Sequence, residues 1–521
     1  MILRKKRGLN MADQGMKKVA LGNAITLEML VSIARYGAHV DFSDDYRQRV
    51  ERSCQLVNKW IDEGRIMYGV NTGFGALSTQ IISQDQTALL QKNILLSHAT
   101  SVGEPLDEEC VRAIMLMVLQ NLGQGYSGVR ISTLEMYRQC LNCGVIPFAP
   151  REGSVGYLSV EAHIALVMIG EGKAYVNGEL LPAKEALRKA GLEPIGLSAK
   201  EGLALISGTT SPTAIGALAL SDMLQAAKAA DIIGAMALEV LRGTTRAFDD
   251  RLMTARPHEQ QRNTAANLRK ILEDSMIAKQ SVDHRLQDAL SLRAIPQLHG
   301  AAKKTLLDAL ATFEVEMNAC SDNPILWPGE DGGAISGSNC DSSYVGIELD
   351  SACIGVTAIA KMSERRNNRL IHSHLSDYPA FLVQNAGLNS GLMIPQYSQA
   401  GLLNDMKLLS HPAAVDGIPT CADQEDYVAM GYNSAKKARE VAQKLEYVLS
   451  IELLSIYNAH QFVDSELKPG SASTTVLESI EKSIPKMTED TYLYPYIEQL
   501  KDFIHTGEII SVVEEKLGKL L

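Results

Sequence analysis

A tyrosine at the entrance to a glycine-rich segment is the first arrangement in this chain that could do chemistry. Met67-Tyr68-Gly69-Val70-Asn71-Thr72-Gly73-Phe74-Gly75 combines a titratable phenol with glycines that permit unusual backbone angles. A phosphate cradle is excluded, because no lysine follows and the glycine spacing fits neither phosphate-loop nor dinucleotide motifs. Taken alone, the segment reads first as a structural turn.

Other polar groups are scattered. His98 follows Ser97 in the otherwise apolar Ile94–Ala99 run, where an isolated histidine reads as a core residue. Gln287, Asp288 and Arg293 share a turn or short helix, and an arginine there can hold a carboxylate bidentately. Asp322-Asn323-Pro324 reads as a turn after a helix. Gln424-Glu425-Asp426-Tyr427 reads as a helix entry, where capping explains much of the polarity. Cys140 and Cys143 form a CxxC without a second pair, so no zinc site is expected. His372 and His374 lack a visible third ligand.

These groups must be positioned mainly by helices. Ser211-Pro212 opens an alanine-rich run to Gly243 with capping residue, proline and terminal glycine in the expected places. Further long periodic stretches near 298–318, 342–370, 387–409 and 434–460 predict an extended bundle. The first ~200 residues carry Gly, Pro and short β-type runs around 69–75, 144–156 and 174–181. The expected organisation is a disordered tail (1–18), an N-terminal domain with the Tyr68 loop (19–205), and a central bundle with C-terminal helices (206–521). The fold class is mainly α. Bundle faces of this length predict burial across subunits, hence a homo-oligomer.

Composition narrows the function. A net charge of -11 and a pI near 5.6 argue against nucleic acid or an anionic membrane as partner. No apolar run reaches the roughly 18–20 residues of a membrane span. The basic Met1–Arg7 is not followed by the apolar stretch of a secretory signal, so a cytoplasmic location is expected.

The order of the segments is more telling than any one of them. YGVNTGFG (68–75), LLSHAT (95–100), GSVG (153–156), EGLALISGT (201–209), QDALSLR (287–293), SDNP (321–324), SERR (363–366) and QEDYVAM (424–430) make the chain resemble the aromatic amino-acid ammonia-lyases, nearest to the histidine enzymes, over about residues 20–465. The resemblance implies a long helical bundle, a homotetramer, and active sites built from loops of more than one subunit.

It also implies an electrophilic methylidene-imidazolone, made from an Ala-Ser-Gly tripeptide directly after GSVG. Here Tyr157-Leu158-Ser159 follows, and the tripeptide is absent. Ser207 and Leu290 stand where the family has an asparagine and a tyrosine that work with this group. The expected cofactor is therefore none, and the expected metal none. Without the electrophile, a quaternary ammonium is the favoured leaving group, because it has no N–H to lose. The resemblance to the family branch without the prosthetic group then implies elimination of trimethylamine from ergothioneine to give thiourocanate. Histidine betaine (hercynine) as substrate and a non-catalytic binding protein are the alternatives. Tyr68 takes the β-proton in that reading, with its phenol pKa lowered. Arg293 and Asn323 hold the carboxylate. His98, Gln287 and Glu425 meet the imidazole and amine, and Tyr157 and Glu161 meet the trimethylammonium.

Overall fold

The computed structural model describes residues 18–329 and 332–521. The expected tail falls almost wholly outside the described residues. The fold is mainly helical, and the longest helices are Thr210–Val240, Ile295–Glu316, Ser343–Ile371 and Gly431–Ala459. All four lie where the apolar periodicity puts them. The stretch expected from 387 becomes helical only at Met393, after Gly391 turns the chain with a positive φ of 54°.

Every alanine of Thr210–Val240 is buried, so small side chains line the whole length of that helix. Its three acidic residues are buried too: Asp222 and Asp231 each face a basic partner, Arg439 and Lys303, and Glu239 accepts from the Gly470 N–H.

The described residues divide into two compact units, each discontinuous in sequence. One comprises the described residues up to Leu218 with Leu310–Ile347 and Pro412–Lys436; the other comprises Ala219–Ala309, Glu348–His411 and Lys437–Leu521. In the first, the helix Glu108–Leu122 is buried from Cys110 to Leu122. Its Arg112 reaches the carbonyls of Ile33, Ala34 and Leu141, the last turns of two neighbouring helices. A guanidinium placed there satisfies carbonyls that have no partner within their own helices.

The β-type signals are partly realised. Lys173–Val176 and Glu179–Pro182 pair through an Asn177-Gly178 turn with φ of 53° and 83°, the pattern of a two-residue hairpin. Ile146–Pro147 adds a third strand beside Lys173–Val176. The 69–75 segment is no strand: it is a loop that ends in the short turn Gly75–Leu77. Among the described residues, no helix is long and apolar enough to cross a membrane.

Candidate active site

The Tyr68 loop is tied by its own side chains. Asn71 accepts from the Met67 N–H at 2.7 Å and donates to the Arg65 carbonyl at 2.8 Å, while Thr72 Oγ1 accepts from Gly69 N–H at 3.1 Å. Three glycines here leave little space for a side chain, Gly73 the least, because its Cβ would lie 2.4 Å from the Leu77 backbone oxygen. A Cβ on Gly69 would lie 2.2 Å from Leu203 Cδ2, and one on Gly75 would lie 2.4 Å from Cys421 Sγ. The bare Gly75 N–H therefore reaches the Tyr68 hydroxyl and donates to it at 3.0 Å.

Four expected site residues converge in this unit. Glu425 acts electrostatically on Tyr68, on His98 and on Tyr157. Glu425 is held in turn by Thr420, whose hydroxyl donates to one carboxylate oxygen at 3.0 Å across a short backbone bridge. The intervening Cys421, Ala422 and Asp423 all have left-handed φ angles of 53–63°. For non-glycine residues that conformation stores about 1–2 kcal/mol each, so the turn carrying Glu425 is held against strain.

The charge state of Tyr68 overturns one expectation. Burial raises the phenol above its ordinary value; the Gly75 N–H opposes this, and Glu425, Cys421 and Cys340 add to the rise. The lowered pKa expected of the base is not a property of this chain alone, because its nearest charge is a carboxylate and not a cation.

His98 ends the helix Thr87–His98. Ser97 Oγ lies 3.2 Å from the Ile94 carbonyl, to which it donates, and shares a 3.0 Å hydrogen bond with His98 Nδ1. Burial lowers the His98 pKa, which keeps the ring neutral.

Asn323 donates its N–H to Ser207 Oγ at 3.1 Å and accepts from Gly337 N–H at 2.9 Å. Beneath it, Lys200 and Asp322 form a fully buried ion pair. Glu161 does not join the Tyr68 group. It is 1% exposed and accepts from Thr210 Oγ1 and Ser211 N–H, at the start of the helix Thr210–Val240. Gln287 and Arg293 belong to the second unit; Gln287 is exposed, and Arg293 Nε donates to the Asp288 carbonyl at 3.0 Å. Its terminal nitrogens remain available for a carboxylate.

Sequence reasoning passed over Cys340 and Cys421, both close enough to act on the Tyr68 phenol. No local signal marks either one; they come to the site through the fold. Asp222, Glu446 and His505 also converge, in the second unit, but Arg439 and Lys501 already balance the charge of these carboxylates. A cavity of about 290 Å³, lined by His372, His374, Phe381 and Gln396, lies in the second unit and contains none of the Tyr68 group.

The residues after GSVG do not fit the family's prosthetic group. Cyclisation needs a flexible serine whose following amide attacks the preceding carbonyl. Ser159 instead begins the helix Ser159–Met168, with its hydroxyl 2.9 Å from Ser101 Oγ. The carbonyl to be attacked, that of Leu158, accepts from Ala162 N–H at 2.9 Å, and the attacking amide would belong to buried, β-branched Val160. Ring closure would require this first helical turn to unwind.

The sequence matches the aromatic amino acid lyase family over residues 25–482, and the chain belongs to that family. A histidine ammonia-lyase of Symbiobacterium thermophilum is 43% identical over 97% of this chain and 100% of its own length. The crystal structure of a histidine ammonia-lyase from Trypanosoma cruzi superposes with a TM-score of 0.90 at 35% identity, covering 96% of each chain. Ergothionase from Treponema denticola superposes with a TM-score of 0.87 at 25% identity, over 95% of this chain and 99% of that one.

These relatives correct the expected reaction. Several full-length relatives at 40–43% identity are histidine ammonia-lyases, so the comparisons point to ammonia elimination from histidine and not to trimethylamine elimination from ergothioneine. The absent tripeptide is one local feature and does not by itself fix a quaternary substrate. The rest of the chain argues otherwise.

Proposed function

We propose that this protein is a carbon–nitrogen lyase that eliminates ammonia from histidine. One observation carries the reading: Tyr68, His98 and Glu425 gather around one locus in a chain that is 43% identical to a histidine ammonia-lyase from end to end.

The residues suit the substrate. An imidazolium side chain can donate to the unprotonated ring nitrogen of His98, whose pKa burial lowers. Positive charge in that ring stabilises the carbanion that forms when the β-proton leaves. Tyr68 is the group for that proton. Its phenol loses its proton more easily once the substrate ammonium offsets Glu425, while the Gly75 N–H steadies the phenolate. Asn323, in the same unit as Tyr68, is proposed for the carboxylate; Arg293, in the second unit with the exposed Gln287, is proposed as a carboxylate ligand because its Nε is anchored on the Asp288 carbonyl.

A homotetramer belongs to the same proposal. Tyr344, Ile347 and Ile354, at 74%, 56% and 53% exposure, line one helix that would otherwise present them to water. Sedimentation at micromolar concentration tests it, and a stable monomer would remove it.

The activity test is to mix purified protein with histidine and follow urocanate absorbance together with free ammonia. Equal growth of both supports the reading. Absence of turnover by folded, oligomeric protein would sink it.

A further inference from the structure

We infer that Ser207 and the buried Lys200–Asp322 pair are positioning residues. They lock Asn323 so that it offers its amide N–H groups, and not its oxygen, to the ligand, and the site thereby selects substrates that bear a carboxylate. The inference rests on the reading of Asn323 as a carboxylate ligand and adds what orients that ligand.

Asn323 is held at its backbone and at its side chain, by residues that all belong to the first unit. Its backbone N–H donates to Asp322 Oδ1 at 2.7 Å and to Ser207 Oγ at 3.1 Å. Its side-chain Oδ1 accepts from Gly337 N–H at 2.9 Å, while Nδ2 has no partner among the described residues. Asp322 cannot turn away, because its other oxygen takes the Lys200 ammonium and both side chains are fully buried. Lys200 sits at a left-handed φ of 66° just before the short helix Glu201–Ala204. Glu201 accepts from Ser198 N–H at 2.6 Å, Arg130 N–H at 3.0 Å and Thr133 Oγ1 at 2.7 Å. Those bonds hold the turn in a conformation that glycine adopts far more freely than lysine. Beside it, Thr209 N–H donates to Ser321 Oγ at 3.1 Å, and Ser321 N–H donates to Asn121 Oδ1 at 2.9 Å. A Cβ on Gly208 would lie 2.7 Å from Ser321 Oγ, so a glycine is what lets the two stretches come this close.

Stability does not call for this pair, since two apolar side chains of similar volume can replace a buried ion pair without loss. What they cannot do is present an oxygen to the Asn323 N–H in a fixed direction. A carboxylate clamped on one oxygen by an ammonium does that. The effect reaches the ligand through the amide. With Oδ1 committed to Gly337, the open end of Asn323 is a pure donor. A carboxylate accepts from it, whereas an amide turned the other way would set oxygen against oxygen. Lys200 and Asp322, being fully buried, act only through Asn323.

The test compares two analogues of histidine: imidazolepropionate keeps the carboxylate and lacks the amine, and histamine keeps the amine and lacks the carboxylate. Kd for each is measured on the full-length parent and on Lys200→Met with Asp322→Leu, which removes the pair without leaving a lone charge. Kd for imidazolepropionate should rise about tenfold or more, and Kd for histamine should stay within about twofold. KM for histidine should rise with the former while kcat changes by less than about threefold. Lys200→Met with Asp322→Asn gives the Asn323 N–H an oxygen acceptor again and should bring Kd for imidazolepropionate back to within about threefold of the parent. Equal rises for both analogues, no rise, or failure of the asparagine rescue would overturn the inference.

Ser207→Ala covers the case in which the double variants do not fold. It takes one acceptor from the Asn323 N–H, leaves every charge in place, and should raise Kd for imidazolepropionate about threefold without moving Kd for histamine. An unchanged ratio of the two constants would overturn the inference. The parent protein separates this inference from the reading beneath it. If the parent binds neither analogue, the histidine reading falls and the positioning role falls with it. If the parent binds both and the variants fail to tell them apart, the histidine reading stands and the positioning role alone is lost.

Discussion

Two polar clusters in this protein each bring a histidine to a carboxylate, and they do opposite things. In the first unit, Glu425, half-buried at the end of an exposed turn, acts on Tyr68, His98 and Tyr157, and one of its oxygens meets Thr420. In the second unit, Asp231 is buried together with His299, both at 0% side-chain exposure, with His299 Nδ1 at 3.0 Å, Asn267 at 2.9 Å and Lys303 paired as well. Asp231 thus has partners on both oxygens, and Lys303 has a second in Thr264. The Asp231 carboxylate, paired on both oxygens, holds three helical segments together, although His299 Nε2 stays buried without a partner among the described residues. The Glu425 carboxylate keeps capacity for a ligand. Spare hydrogen-bonding capacity beside a strained turn distinguishes a site from a staple.

The sharpest way to break that contrast is Tyr68→Phe. It should lower kcat by about three orders of magnitude, the scale of a lost proton-transfer group, with the unfolding midpoint unchanged. In the parent, the raised phenol pKa means that activity should climb by about tenfold per pH unit from neutrality upward, until the substrate ammonium itself deprotonates. A flat profile would show that another group takes the proton.

Asp231→Asn should act in the reverse sense. It leaves Lys303 buried without its counter-charge and should reduce stability by about 3–5 kcal/mol, read by urea denaturation. Glu425→Gln should barely move the same midpoint. If both variants lose stability equally, the distinction between the clusters fails.

Acid titration separates the two histidines. Burial pushes the His299 pKa down to about 4, against about 6.5 in the unfolded chain. The unfolded state therefore binds the proton first, and stability falls as pH drops from 6.5 towards 4, by roughly 2–3 kcal/mol from this group. A His299→Gln variant should show a smaller loss over that window. His98→Gln should reduce the acid-induced loss in the same direction but by less, because burial lowers the pKa of the half-buried His98 ring against the opposing pull of the Ile94 carbonyl and Glu425.

Arg293→Met should raise KM for histidine tenfold or more and change kcat much less, the pattern of a lost ground-state carboxylate contact. A kcat effect alone would move Arg293 out of the binding role. The smallest effect is expected at Glu161. Burial raises its pKa, so the stability it contributes is present below the unfolded carboxylate pKa and is lost as pH rises through the folded value. Glu161→Gln keeps the acceptor for Ser211 N–H and should shift stability at pH 8 by less than about 1 kcal/mol, upward if at all.

Much of this architecture is legible in the residues. The alanine-rich run from Ser211, with proline at its start and glycine beyond its end, is a helix because small residues, caps and period agree. Asn177-Gly178 fixes a hairpin for an equally local reason. The site was half legible: Tyr68, His98, Tyr157 and Glu425 could be singled out, and the fold brings them to one locus. Glu161 was read as a ligand group, yet its chemistry serves the start of a helix whose first residues lie about fifty positions further on. Cys421 could not be found at all, since its contact with Gly75 joins distant stretches of chain.

The sequence by itself determined the family, the helical class and the absence of Ala-Ser-Gly, because each depends on residue identity and local order. It did not determine the proton affinity of Tyr68. That follows from burial and from Glu425, Cys421 and Cys340, which reach the phenol only through tertiary packing. Nor did it determine that Leu158 and Ser159 are bound into a helix start, which turns a missing motif into a physical obstacle to ring closure. Desolvation and through-space charge are properties of neighbours in space, and spacing along the chain does not encode them.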